Sequence, residues 1–251
     1  MAFDIITRDV TTIQNKIRHL SNNHFTFNTI ELGMDGNCMF SCMASVLNDI
    51  DNTRDLTSTK MRQLVTRHIA SMSMELLLIF LSVQGACEEN RTEWHDAWSP
   101  LALQKTLRDA PIDQFETVKR CIMDAYSSPD MHWGTEYDLY IMCNWYNVQP
   151  IVFTSMAGCN WIYPTTYIDS FTHFILLYNI SNFHFQVATL TAQRTNRECS
   201  FFIRDDLPVF VLRMWRRKQP WTETSVTHDS SIVCALPLNM QKQKKARSTE
   251  Y

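Results

Sequence analysis

The chain has no paired Cys-x-x-Cys motif, no internal repeat, no apolar run long enough to cross a bilayer and no surplus of positive charge. Each absence excludes a class of protein. Zinc modules place their ligands in pairs two to four residues apart. Here the eight cysteines stand at 38, 42, 87, 121, 143, 159, 199 and 234. Cys38 and Cys42 are close in sequence, but no second pair and no nearby histidine completes a tetrahedral set, so no metal or other cofactor is expected. A secreted disulfide scaffold is shorter and denser in cysteine. The thiols are therefore read as reduced, the compartment as cytoplasmic or nuclear, and every cysteine but Cys38 as buried and inert. The net charge of -3 argues against a nucleic-acid coat. The opening MAFDIITRDV has no basic segment followed by an apolar one and does not read as a signal peptide. The most apolar stretch, Met72 to Val83, contains Glu75 and is too short for a membrane span, so it reads as a core helix.

What is present is an ordinary folded composition, 45% hydrophobic and 20% charged. Val10, Ile13, Ile17 and Leu20 form one stripe of an amphipathic helix over 7–20. Asp35, Gly36 and Asn37 make a turn, followed by a helix with Phe40, Met43, Ala44 and Leu47 on one face. A helix over 56–72 has Thr57 or Ser58 as N-cap. Residues 87–98 read as loop, and helices are expected at 100–109 and 112–126. Thr135 and Asp138 have the spacing of a capping box. The helix that follows should run to about Tyr146, with Pro150 as its stop signal, before a short buried strand, Ile151-Val152-Phe153. Residues 161–163, 174–178, 183–190 and the run PVFVL from Pro208 read as strands, with Asn179 to Asn182 as a turn. Helices first, then helix and strands together, predict an α+β fold or a three-layer α/β arrangement. The basic QKQKKAR of 241–247 reads as a solvated tail.

One position combines the features that activate a thiol. The ordinary pKa of a cysteine is about 8.5, and a helix N-terminus or an adjacent imidazolium lowers it. Cys38 follows a turn and opens a helix, where the helix dipole and free N–H groups favour negative charge. The same N–H groups are suited to an oxyanion, and Gly36 allows close approach of backbone to a substrate. The partner base must be one of the eight histidines. His184, in Phe183-His184-Phe185, stands on a strand that turns His184 and Gln186 to one face and Phe183, Phe185 and Val187 to the other. His173, in THFILLY, is its nearest rival.

Residues 34–40, MDGNCMF, resemble the D-G-N-C-x-F nucleophile motif of the ovarian-tumour (OTU) cysteine peptidases. Residues 133–139, WGTEYDL, are similar to the family's W-G-x-x-x-x-L helix start, which a strand follows, here PIVF at 150–153. Ile175 to Tyr178 and on to His184-Phe185 resembles the closing hairpin that ends in His-aromatic. TKMRQLV at 59–65 is similar in character to the family's second helix. The resemblance spans about 25–190. It implies a papain-like α+β domain of OTU type, with a small central sheet flanked by helices. It also implies a deubiquitinase that cuts after the C-terminal glycine of ubiquitin or a ubiquitin-like protein. Cys38 is then the nucleophile, His184 the general base, and Asp35 a catalytic-loop residue whose neighbours Gly36 and Asn37 help form the oxyanion hole. Many relatives place Asp or Asn two residues after the histidine to orient it. This chain has Gln186 there, so Gln186 or Asn182 is the candidate orienting residue. The expected organisation is a catalytic domain over 1–190, an extension over 191–238 and a disordered tail over 239–251. The competing readings are a ubiquitin-binding module without catalysis and a papain-like peptidase of ordinary peptides.

Overall fold

Four asparagines sit in the left-handed backbone region, with φ between 50° and 61°: Asn22, Asn23, Asn147 and Asn196. Asparagine tolerates this conformation better than other side chains, and here it reverses the chain between elements. Asn22 and Asn23 end helix α1 (Ala2–Leu20) and start strand β1 (Phe25–Ile30). Asn147 ends α7 (Glu136–Tyr146), and β2 (Val148–Thr154) starts on the next residue. Asn196 turns β4 (His184–Ala192) into β5 (Arg197–Cys199). The remaining elements are α2 (Cys38–Ile50), α3 (Ser58–Ala70), α4 (Met74–Asn90), α5 (Pro100–Asp109), α6 (Pro111–Ser127), β3 (His173–Ile180) and β6 (Phe201–Ile203). The computed structural model describes residues 2–33, 35–90, 98–154, 171–180 and 184–212.

The fold is α+β, a mixed sheet flanked by helices. The sheet order is β1-β4-β3-β2, with β2 parallel to β3 and the other neighbours antiparallel. Strand alternation divides the core between its faces. Val152, Ile175, Leu177, Phe185 and Val187 face α2 and the helices behind it. Ile151, Phe153, Leu176, Tyr178 and Ala188 face the other way, where Ile13 and Ile17 of α1 cover them. The amphipathic stripe of α1 thus packs as expected, and the helix starts at Ala2, five residues before the expected start at residue 7. Helix α3 is capped by Thr57, whose hydroxyl accepts from the Lys60 N–H at 3.2 Å. Helix α4 runs on to Asn90 where a loop was expected from residue 87.

Pro150 does not stop a helix. It lies within β2, and Asn147 ends α7. Proline is tolerated there because β2 is the last strand of the order among the described residues, so the missing N–H breaks no ladder bond to β3. The sheet also does not close at residue 190. The β3–β4 ladder spans only Leu177↔Val187 to Ile180↔His184. Beyond it the strands part, and one extended segment fills the wedge: β5 pairs with the end of β4, then β6 with the start of β3. The Leu176 N–H donates to the Ser200 carbonyl at 2.8 Å between them. Leu207, Phe210 and Val211 are buried on the α1 face. Residues 191–212 therefore complete the core, and a domain boundary at 190 would cut through β4. PVFVL begins a helical turn, with the Val211 and Leu212 N–H groups bonded to the Pro208 carbonyl at 2.9 and 3.1 Å. Proline pre-sets φ for a helix start. The described residues belong to one compact unit, Met1–Lys218. The strand expected at 161–163 and the tail lie outside the described residues.

Candidate active site

The site lies where β1 and β4 separate. Their ladder ends at Ile30↔Val187. One step on, Glu31 continues the alternation of β1 opposite Gln186, which places its carboxylate beside both polar side chains of the β4 start. Its Oε2 accepts from Gln186 Nε2 at 2.7 Å and lies 2.8 Å from His184 Nε2. The His184 ring also hydrogen-bonds the Cys38 thiol. With Nε2 committed to Glu31, Nδ1 is the ring nitrogen left for sulfur. The sequence Glu31–His184–Cys38 is therefore carboxylate, imidazole, thiol.

His184 is 4% exposed. Burial alone would lower its pKa, but hydrogen bonds to Cys38 and Glu31 and the negative charge of both outweigh it and raise the pKa to about 9. At neutral pH the ring carries a proton and is suited to pair with a thiolate. Glu31 is held below the usual carboxylate range: burial raises its pKa, but the bonds from Gln186 and His184 and the His184 charge outweigh this.

Cys38 opens α2 directly after the Asp35–Asn37 turn. Its sulfur has a second donor, the Phe185 N–H at 3.5 Å. The Asp35 carboxylate is spent on the turn itself, accepting from the Asn37 N–H at 3.0 Å and from Asn37 Nδ2 at 3.3 Å. The Asp35 carbonyl accepts from the Cys38 N–H at 3.1 Å. Asp35 thus shapes the loop. The N–H groups of Asn37 and Cys38 would have to exchange these internal bonds to receive an oxyanion.

The turn is held from behind. A Cβ on Gly36 would lie 2.0 Å from the Pro129 carbonyl oxygen and 2.8 Å from Trp133 Cδ1, so only glycine fits. A Cβ on Gly134 would meet Met39 Cε at 2.2 Å and Phe40 Cε2 at 3.1 Å. The two motifs that read separately in the sequence are therefore in contact. Arg62 of α3, 4% exposed, binds the turn directly. Its Nε donates to Asn37 Oδ1 at 2.7 Å, and Nη2 donates to the carbonyls of Gly36 at 2.7 Å and His132 at 2.9 Å. Nη1 donates to the Tyr126 carbonyl at 3.3 Å, and the guanidinium stacks 4.3 Å from the Phe40 ring centroid. Behind Arg62, buried Asp138 takes Tyr126 Oη at 2.8 Å, His132 Nε2 at 2.9 Å and the Thr135 N–H at 2.7 Å. The last of these is the reciprocal half of the capping-box spacing. The Asp138 pKa is lowered: burial opposes this, but the His132 charge and these bonds outweigh it.

Glu31, Arg62 and Cys42 were not singled out by sequence reasoning. Glu31 had a faint signal in the Phe25–Ile30 alternation of aromatic and β-branched residues. Gln186 reaches Glu31 rather than the imidazole, so it supports the orienting carboxylate. Asn182 lies outside the described residues. His173 starts β3, seven residues before Ile180, the partner of His184. That is roughly 23 Å at about 3.3 Å per residue. Its Nδ1 lies 2.9 Å from Thr172 Oγ1, and it has no place in this constellation. Among the described residues no group of three or more His, Cys, Asp or Glu is arranged to hold a metal ion, and no helix is long and apolar enough to cross a membrane.

No protein-family model and no curated protein sequence matches the chain. Solved structures similar to it include an OTU domain in complex with ubiquitin, at 11% identity and TM-score 0.43, over 77% of this chain and 87% of that one. An OTU deubiquitinase from Wolbachia pipientis wMel is 12% identical with TM-score 0.39, over 75% and 96%. The OTUD1 OTU domain is 13% identical with TM-score 0.35, over 72% and 94%.

Proposed function

We propose that the chain is a thiol-dependent deubiquitinase of the OTU type, hydrolysing the isopeptide or peptide bond after the C-terminal glycine of ubiquitin or a ubiquitin-like protein. The observation that carries this reading is the Glu31–His184–Cys38 series at a helix N-terminus, and the D-G-N-C-M-F resemblance supplies the substrate class. In this mechanism the Cys38 thiolate attacks the glycine carbonyl, forming the S–C bond. The His184 imidazolium gives its proton to the departing lysine or α-amine as the C–N bond breaks. Neutral His184 then takes a proton from water, which attacks the thioester and frees the carboxylate and the Cys38 thiolate. Glu31 holds the ring and stabilises its charged form.

The test is reaction with ubiquitin bearing a C-terminal electrophile. Wild type should gain one ubiquitin by intact mass and Cys38→Ala none. Equal labelling of both would remove Cys38 from the mechanism. A specific observation favours a second reading, ubiquitin binding without turnover: the Asn37 and Cys38 N–H groups are engaged within the turn. Stable binding of unmodified ubiquitin with no adduct and no hydrolysis would select it. Cleavage of short unfolded peptides in preference to ubiquitin would select an ordinary papain-like peptidase.

A further inference from the structure

One helical turn after Cys38, Cys42 is fully buried and has no role in the chemistry above. Positions i and i+4 lie one above the other on a helix face, so both thiols meet the same strand. They meet the same residue. The Phe185 N–H donates to Cys38 Sγ at 3.5 Å, and Cys42 Sγ donates to the Phe185 carbonyl at 3.5 Å. Beyond Ile30 the first strand no longer covers this edge of β4, and the two sulfurs take the place of a strand partner for Phe185.

We propose that Cys42 is a positioning residue for the nucleophile, its S–H anchoring the Phe185 backbone on the carbonyl side so that the N–H of the same residue, one peptide back, stays directed at Cys38 sulfur and His184 is held at its reach. The division of labour between the thiols follows from their surroundings. Burial, together with the charges of Cys38 and Glu31, raises the Cys42 pKa far above the thiol range. Cys42 therefore stays a protonated donor while Cys38 acts as acceptor. The groups acting electrostatically on this pair are the thiols themselves, Glu31 beyond β1 and His184 of β4. Without the Cys42 donor, the Phe185 carbonyl loses this hydrogen bond, and the Phe185 backbone is held less firmly at the angle that aims its N–H at sulfur. One of the thiolate's two donors is then weakened.

The role rests on Cys38 being the nucleophile, and the experiment separates the two. The rate of Cys38 alkylation by iodoacetamide, read by peptide mass spectrometry against pH, needs no ubiquitin. In wild type Cys38 should react faster at pH 6 than the exposed Cys121. Cys42→Ala should slow Cys38 at pH 6 by about 3- to 10-fold, the scale of one hydrogen bond, and shift its profile upward. Cys42→Ser, which keeps a donor, should recover part of the loss. Near-ultraviolet circular dichroism confirms that each variant is folded. If Cys42→Ala does not fold, Cys42→Ser decides, because its profile should still lie measurably above wild type owing to the shorter reach of oxygen. Coincident profiles for wild type and the folded variants would overturn the positioning role and leave the nucleophile intact. A wild-type Cys38 no faster than Cys121 would overturn both.

Discussion

Glu31 meets His184 at 2.8 Å across the gap where two antiparallel strands part company, 153 residues apart in sequence. A carboxylate in this place fixes the tautomer and ring orientation and stabilises imidazolium, the role of the acid in other nucleophile–histidine sites. Glu31→Gln keeps the shape and removes the charge. It should lower kcat by about 10- to 100-fold with little change in KM, since the interaction matters most in the transition state. The His184 pKa should fall from about 9, read by NMR titration of the ring. A variant with unchanged kcat and an unmoved titration would remove Glu31 from the site.

Gln186 gives a prediction opposite in sign to the one its sequence position invites. If it touched the imidazole, a carboxylate there would help. Its amide instead donates to Glu31 at 2.7 Å. Gln186→Asp would set two carboxylates against each other, and like charges at this range raise the pKa of one of them. Gln186→Ala should cost a few-fold in kcat, about the value of one hydrogen bond to a charged group, and Gln186→Asp should cost more. Steady-state kinetics on a ubiquitin C-terminal reporter orders the variants. Activity of Gln186→Asp at or above wild type would mean that Glu31 is not the ring's partner.

The contrast between these two residues shows what was legible in the sequence. Cys38 and its turn could be read because the chemistry is local: Asp35, Gly36 and Asn37 shape a turn, and Phe40 to Leu47 show a helical face. The face of His184 could be read because strand alternation is local too, and Phe185 and Val187 do point into the α2-side core. Glu31 could not, because it reaches His184 only through the β1–β4 register, and the strand-like character of the adjoining Phe25–Ile30 does not say which strand it pairs with. Pro150 misled for the same reason, since its tolerance depends on β2 being an edge strand. The 197–203 segment shows no long alternating run because each of its strands is three residues long, fitted to a wedge that exists only in the folded sheet.

Arg62 predicts coupling between stability and activity. Its guanidinium serves the Gly36, Tyr126 and His132 carbonyls and the Asn37 side chain at once. Arg62→Ala would leave these buried acceptors short of donors, at about 1 kcal/mol or more each, so a loss of about 3 kcal/mol or more is expected in urea unfolding. Arg62→Lys retains the charge but not the planar fork. It should fold with a smaller loss and still show reduced kcat, because the Asn37 and Gly36 contacts set the turn that presents Cys38. Full activity in folded Arg62→Lys would show that the turn holds its shape unaided.

Two buried histidines should give the stability curve limbs of opposite sign. His68 is 7% exposed, its ring nitrogens have no hydrogen-bond partner among the described residues, and burial lowers its pKa from 6.5. The fold prefers it neutral, so its contribution is present above about pH 6.5 and is lost as pH falls toward the depressed folded value. His184 is raised from 6.5 to about 9. The fold prefers it protonated, so its contribution is complete below about pH 6.5 and is lost as pH rises through 9. The thermal midpoint should therefore fall on both sides of about pH 6.5. His68→Leu should flatten the limb below about pH 6.5 and leave the alkaline limb in place. Glu31→Gln, which removes one of the groups holding the His184 proton, should flatten the limb between pH 6.5 and 9 and leave the acid limb in place. Scanning calorimetry of the three proteins at half-unit pH steps reads both limbs. If His68→Leu keeps the wild-type acid slope, His68 titrates normally in the fold. If Glu31→Gln keeps the alkaline slope, the Glu31 carboxylate does not hold the His184 proton.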